Sequence, residues 1–105
     1  VTEPNLPGLS WETRKARYLR RVQAAPRPSL LVAGADKTAN LISMVAAHAT
    51  AGDALWERFH ATPAVKLAFY RQVHALIRSS WSTCPLLQEF GNRLEEAERK
   101  LGARL

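Results

Sequence analysis

The residues with the most chemical content lie in one segment. Asp36 follows the apolar run Leu30-Leu31-Val32-Ala33-Gly34-Ala35, and Asn40 and Ser43 come after it at i+4 and i+7. On a helix that spacing puts a carboxylate, an amide and a hydroxyl on one stripe. Burying an unpaired carboxylate is costly, so Asp36 must face solvent, a cationic partner or a metal ion. Such a stripe beside a cleft can hold a cation and a polar ligand. The plainer reading of the same spacing is a partly exposed helix face with Lys37 nearby, and short patterns of this kind also arise by chance.

Other groups offer less. The histidines His48, His60 and His74 all follow Asp36. His48 sits at i+12, more than three helical turns away, too far to ligate the same ion. His60 and His74 read as surface or interhelical side chains. Ser79-Ser80-Trp81-Ser82-Thr83 is rich in hydroxyls but lacks the strand-to-helix turn that exposes a serine nucleophile. Cys84 is the only cysteine, which excludes an internal disulfide and a thiolate metal site. It precedes a helix start but has no His-Asn partner, and reads as a buried or idle thiol. Trp11, Trp56 and Trp81 each fall at a helix start or turn and read as core anchors rather than a stacking platform.

The elements that must position these residues are helical. Pro4, Pro7 and Gly8 make the first nine residues an extended lead-in. Ser10 is placed to cap a first helix over about 11–24, with Trp11, Lys15, Tyr18 and Val22 on one face and Arg14, Arg17 and Arg21 on another. Ala25-Pro26-Arg27-Pro28 bridges to a second helix over about 29–50, whose apolar face is expected to hold Leu31, Ala35, Leu41 or Ile42, Val45 and Ala49. Gly34 lies inside it, at a cost of about 1 kcal/mol relative to alanine or in exchange for close approach of another element. A short turn over 53–59 carries Trp56 and Phe59. Thr62-Pro63 starts a third helix to about Arg78, with Val65, Phe69, Val73 and Leu76 buried. After Ser82-Thr83-Cys84-Pro85, a last helix over about 85–101 places Leu87, Phe90, Leu94, Ala97 and Leu101 on a narrow 3,4,3,4 seam, with Glu95–Arg99 and Glu96–Lys100 as i, i+4 pairs. No β-type alternation persists. The expected fold is all-α, four main helices and a short helical turn in a single module.

The chain has 105 residues, room for one small domain. Its net charge is +6, with Arg14, Lys15, Arg17, Arg20 and Arg21 clustered near one end, which favours an anionic partner such as a nucleotide or nucleic acid or else marks a solvated helix face. No apolar run approaches the roughly 20 residues of a membrane span, and Val1-Thr2-Glu3-Pro4 has no basic, signal-like character. A reducing, cytoplasmic setting fits the single cysteine. A first residue of Val rather than Met fits a chain that begins inside a longer protein.

The stretch Val32-Ala33-Gly34-Ala35-Asp36-Lys37-Thr38-Ala39-Asn40-Leu41-Ile42-Ser43 resembles the Ala-Asp-(Lys/Arg)-x-x-Asn-x-x-(Thr/Ser) segment of HD-domain phosphohydrolases of the RelA/SpoT type. That family includes small alarmone hydrolases, which remove pyrophosphate from guanosine tetraphosphate. Ser10-Trp11-Glu12-Thr13-Arg14-Lys15 is similar to the segment preceding that helix, and Gly52-Asp53-Ala54-Leu55-Trp56-Glu57-Arg58-Phe59 to the Trp-x-x-Phe turn following it. The order and spacing of all three agree over roughly residues 1–80. The resemblance implies the C-terminal portion of an HD-type helical bundle. It implies a divalent cation, commonly Mn²⁺, with Asp36 as the last of its protein ligands, and it places Asn40 and Ser43 against a nucleotide. Lys37, Arg14 and Lys15 join them as candidate nucleotide-binding residues. The sequence also departs from the pattern. It contains no His-Asp dipeptide and none of the acidic residues that follow one, and its histidines lie after Asp36 rather than before it. Ala33 stands where Lys is usual, and Ala39 where His or a bulky residue is usual.

Two functions of different class follow. One is part of a metal-dependent phosphohydrolase for a guanosine polyphosphate-like nucleotide, completed by a missing N-terminal part of the same domain and inactive as these residues alone. The other is a non-catalytic basic helical module that binds nucleic acid or forms a homo-oligomer, supported by the first helix's basic stripe and the last helix's seam. Neither involves a membrane.

Overall fold

A computed structural model describes residues 10–52 and 63–101. The turn expected over 53–59, the Thr62 cap, Trp56, His60 and the stop at Gly102 lie outside the described residues. The rest forms four helices, with no strand among the described residues: α1 (Trp11–Ala24), α2 (Arg27–Ala51), α3 (Pro63–Ser80) and α4 (Leu87–Lys100).

Helix α1 begins where its cap predicts. Ser10 is extended, and its hydroxyl accepts the Thr13 backbone N–H at 3.1 Å, satisfying one of the amides left open at a helix start. Tyr18 and Val22 are buried, Trp11 and Lys15 half-buried, and Arg17, Arg20 and Arg21 exposed. Only Ala25 and Pro26 separate α1 from α2. The second helix starts at Arg27, two residues before the expected Ser29, because a proline in the first turn removes an N–H that has no helical partner there; the Leu30 N–H then bonds the Pro26 carbonyl at 3.0 Å. Gly52 ends α2 with φ of 62°, and its N–H reaches back to the His48 carbonyl.

The buried face of α2 is not the one its hydropathy suggests. Leu30, Ala33, Gly34, Lys37, Thr38, Leu41 and Met44 are buried, while Leu31, Val32 and Ile42 are exposed. Of the expected face only Leu41 is buried and Val45 half-buried; Leu31, Ala35 and Ala49 point outward. Apolar residues surround this helix on all sides, so the stripe cannot be read from where they stand. Thr38 is buried with its hydroxyl donating to the Gly34 carbonyl at 2.7 Å, which removes the cost of a buried polar group.

On α3, Leu67, Phe69, Tyr70, Val73 and Ile77 are buried, whereas Val65 is exposed and Leu76 half-buried. A turn joins α3 to α4. The Cys84 N–H bonds the Trp81 carbonyl at 3.0 Å and the Leu87 N–H bonds the Cys84 carbonyl at 3.2 Å, so Pro85 sits in the turn and the helix starts at Leu87. Along α4 the seam holds as read: Phe90, Leu94, Ala97 and Leu101 are buried and Leu87 packs against them half-buried.

Helix α1 packs on α3, α3 on α4 and α4 on α2, with thinner α2–α3 and α1–α2 contacts closing the ring. A thickness of 18 Å corresponds to two helix layers. By length and composition α2 is apolar enough to cross a membrane, although the sequence shows no uninterrupted apolar run of that length, and 39% of its most apolar 18-residue window is buried inside the fold.

Candidate functional site

The charged residue of α2 that the fold encloses is Lys37, not Asp36. The Asp36 side chain is 56% exposed and that of Lys37 only 7%. The Lys37 ammonium lies 4.6 Å from the ring centre of Tyr18 on α1, and 5.7 and 6.0 Å from those of Phe69 and Tyr70 on α3. It donates to Asp36 Oδ2 at 3.1 Å. A buried ammonium needs such partners, since three ring faces and a carboxylate must replace its water. An ammonium held over desolvated rings gains on the order of 2 kcal/mol. The side chain fills the junction where α1, α2 and α3 meet and ties α2 to both neighbours.

Phe69 also joins the other two rings by direct contact. Tyr18 meets Phe69 edge-on at 5.7 Å, Phe69 meets Tyr70 at 5.7 Å, and Trp11 meets Phe69 edge-on at 6.1 Å. Lys15 lies over two of these rings, 5.0 Å from Phe69 and 5.6 Å from Trp11. Phe69 thus has an ammonium within 6 Å from each of two lysines.

Asp36, Asn40 and Ser43 all fall on the outward side of α2. Asn40 and Ser43 line an open cavity of about 370 Å³ together with Met44 and Ala47 of α2 and Lys66 and Tyr70 of α3. Its lining is mixed and more apolar than polar, with Asn40 and Ser43 among the polar members. Tyr70 belongs to both this cavity and the rings around Lys37. Lys66 and Tyr70 escaped sequence reasoning because they sit on α3, and nothing in the local pattern ties them to α2.

The remaining candidates do not join this group. Lys15 lines a separate groove of about 320 Å³ between α1 and α3, with Trp11, Leu19, Val65, Phe69 and Gln72. Arg14 is half-buried on the same helix. Lys37 is turned inward, where it supports Asp36 rather than opening onto the cavity. His74 lies between α3 and α4, with Nε2 3.1 Å from the Leu87 carbonyl and its ring edge-on to Phe90 at 5.1 Å; facing a carbonyl, that nitrogen carries the proton. Cys84 is a free, buried thiol.

Among the described residues no three His, Cys, Asp or Glu side chains come together as a metal site. Asp36 is a single hard-oxygen donor, whereas a divalent cation of this kind needs several ligands. The described residues do not by themselves fit a resident metal ion. No protein-family model and no curated protein matches the chain.

Proposed function

We propose that these residues form one wall of a metal-dependent phosphohydrolase site for a guanosine polyphosphate-like nucleotide, in a cytoplasmic protein. Asp36 contributes one oxygen ligand to a divalent cation, Mn²⁺ by the family resemblance, and residues outside this chain supply the rest. Asn40 and Ser43 contact the nucleotide. Arg14 and Lys15 contribute positive charge for phosphates. The observation that carries this reading is the outward placement of Asp36, Asn40 and Ser43 along one side of α2, the latter two also lining an opening shared with Lys66 and Tyr70. The ordered resemblance over roughly residues 1–80 supplies the chemistry.

The test uses a protein that carries this chain together with the missing histidine and His-Asp ligands. There, Asp36→Ala abolishes metal-dependent hydrolysis of guanosine tetraphosphate while circular dichroism shows the helices intact. Retained hydrolysis contradicts the assignment. The exposed Arg17, Arg20 and Arg21 on α1 support the alternative, a nucleic-acid-binding module. Steeply salt-dependent binding of DNA or RNA, without hydrolysis, would establish it instead.

A further inference from the structure

Neighbouring residues on a helix project about 100° apart and do not normally meet. Asp36 and Lys37 nevertheless touch, Nζ to Oδ2 at 3.1 Å. Of the two, Lys37 is the constrained one. Its side chain is enclosed, and its ammonium is held against Tyr18, Phe69 and Tyr70 from two other helices. Asp36 is more than half exposed and has room to choose its rotamer. Among the described residues, Lys37 is the one cation that Asp36 pairs with, and the bond takes up one of its two oxygens. The Asp36 side chain as a whole is 56% exposed, on the outward side of α2.

We infer that Lys37 is a positioning residue for Asp36: the three-ring cage fixes the ammonium, the ammonium holds Oδ2, and the carboxylate therefore presents its second oxygen outward in one orientation. This deepens the reading of Asp36 as a site residue, but the geometric claim stands on the cage and the pair alone. Two properties of the cage fit this role. Ring faces attract a cation through their π electrons, and the hydrogen bond that Lys37 Nζ makes goes to Asp36 rather than to the phenol oxygen of Tyr18 or Tyr70. And the cage is built from α1 and α3, so the orientation of a side chain on α2 depends on the packing of all three helices. A functional group held this way keeps its geometry because the residues behind it are locked by packing.

The direct test is the Asp36 χ1 rotamer in the 105-residue chain, read by NMR from its Hα–Hβ couplings and intraresidue contacts. The wild type is expected to show one large and one small coupling, the signature of a single rotamer. Lys37→Met retains an unbranched, apolar stem for the cage and removes the charge; it is expected to keep the fold and give two intermediate couplings at Asp36. Lys37→Arg restores a cation and is expected to bring Asp36 back toward one rotamer. Averaged couplings in the wild type, which require no variant to fold, overturn the inference, as does an unchanged single rotamer in Lys37→Met. No metal or substrate enters this measurement, so its failure is distinct from failure of the hydrolase reading. Where that reading holds, Lys37→Met in the complete protein is expected to lower kcat about tenfold or more, the usual cost of losing a group that orients a ligand.

Discussion

Helices α2 and α4 solve the same problem, burying one face against each other, with opposite kinds of sequence. On α4 every charged side chain lies off the seam, and Phe90, Leu94, Ala97 and Leu101 go into the core. Its charges answer one another outside: Arg93 bonds Glu89 at 2.8 Å and Glu96 at 3.4 Å, Lys100 bonds Glu96 at 3.3 Å, and Arg71 of α3 pairs with Glu98. On α2 the apolar residues are distributed around the helix, and the face that enters the core carries Lys37, Thr38 and Gly34. Helix α4 is a packing element. Helix α2 leaves Leu31, Val32 and Ile42 outside and carries the polar stripe beside them. A helix that buries a lysine while exposing a valine is shaped by something other than hydropathy, and here that something is the ring cage between α1 and α3.

The contrast can be broken first on the α4 side. Phe90→Ala removes a fully buried ring from the seam and is expected to cost about 3–5 kcal/mol, enough to leave a chain of this size partly unfolded. Chemical denaturation followed by circular dichroism reads the loss.

On α2 the same measurement should separate inward from outward residues against their polarity. Lys37→Ala empties an enclosed site and is expected to cost about 2–4 kcal/mol, as for other long buried side chains. Val32→Ser, on a residue 60% exposed, should stay within about 0.5 kcal/mol. If the valine substitution cost more than the lysine one, the buried face of α2 would be assigned wrongly.

The two helices also differ at their glycines. A methyl group at Gly34 would meet Ile77 and Leu86 at 3.6–3.7 Å, ordinary contact, so Gly34→Ala should stabilise by about 0.5–1 kcal/mol through helix propensity. The close approach that glycine would permit is therefore not required there. At Gly91 the added carbon would come within 3.2 Å of His74 Nε2, the atom that faces the Leu87 carbonyl. Gly91→Ala should gain less than Gly34→Ala, or lose stability, as that histidine is displaced. Thermal melts of the pair sharpen the comparison.

The smallest effect is electrostatic. The hydrogen bond from Lys100, its charge and the contact with Arg93 hold the Glu96 carboxyl below its ordinary value of 4.5. A carboxylate whose folded pKa is lowered stabilises the fold above its unfolded pKa, and that contribution fades as pH falls through the lowered value. Glu96→Gln should therefore lower stability slightly above about pH 4.5, neutral pH included, and the difference from the wild type should vanish as pH falls through the lowered value. The pair is exposed, so added salt should weaken the difference.

What could be read from the sequence follows the same division. The Ser10 cap, the α4 seam and the all-α architecture were legible because each rests on contrast between neighbouring residue types. The polar stripe of Asp36, Asn40 and Ser43 was legible as spacing. The orientation of α2 was not, because a helix apolar on every side has no contrast to read. Lysine burial was hidden for a related reason: a lysine in sequence reads as a surface residue, and only three rings from two distant helices make this one a core residue. The reach of Lys66 and Tyr70 toward the Asn40 cavity depends on α3 packing and carries no local signal.

Helix α2 presents Asp36 outward, and the central proposal is that this carboxylate works as a site residue. Asp36→Asn tests it most directly, since the amide keeps the shape and gives up the charge. On the proposed reading, in a protein that joins this chain to the histidine and His-Asp ligands, hydrolysis of guanosine tetraphosphate with Mn²⁺ by this variant should fall by more than about 100-fold, beyond the usual loss for a group that merely supports a ligand. Activity within a few-fold of the wild type would contradict the claim.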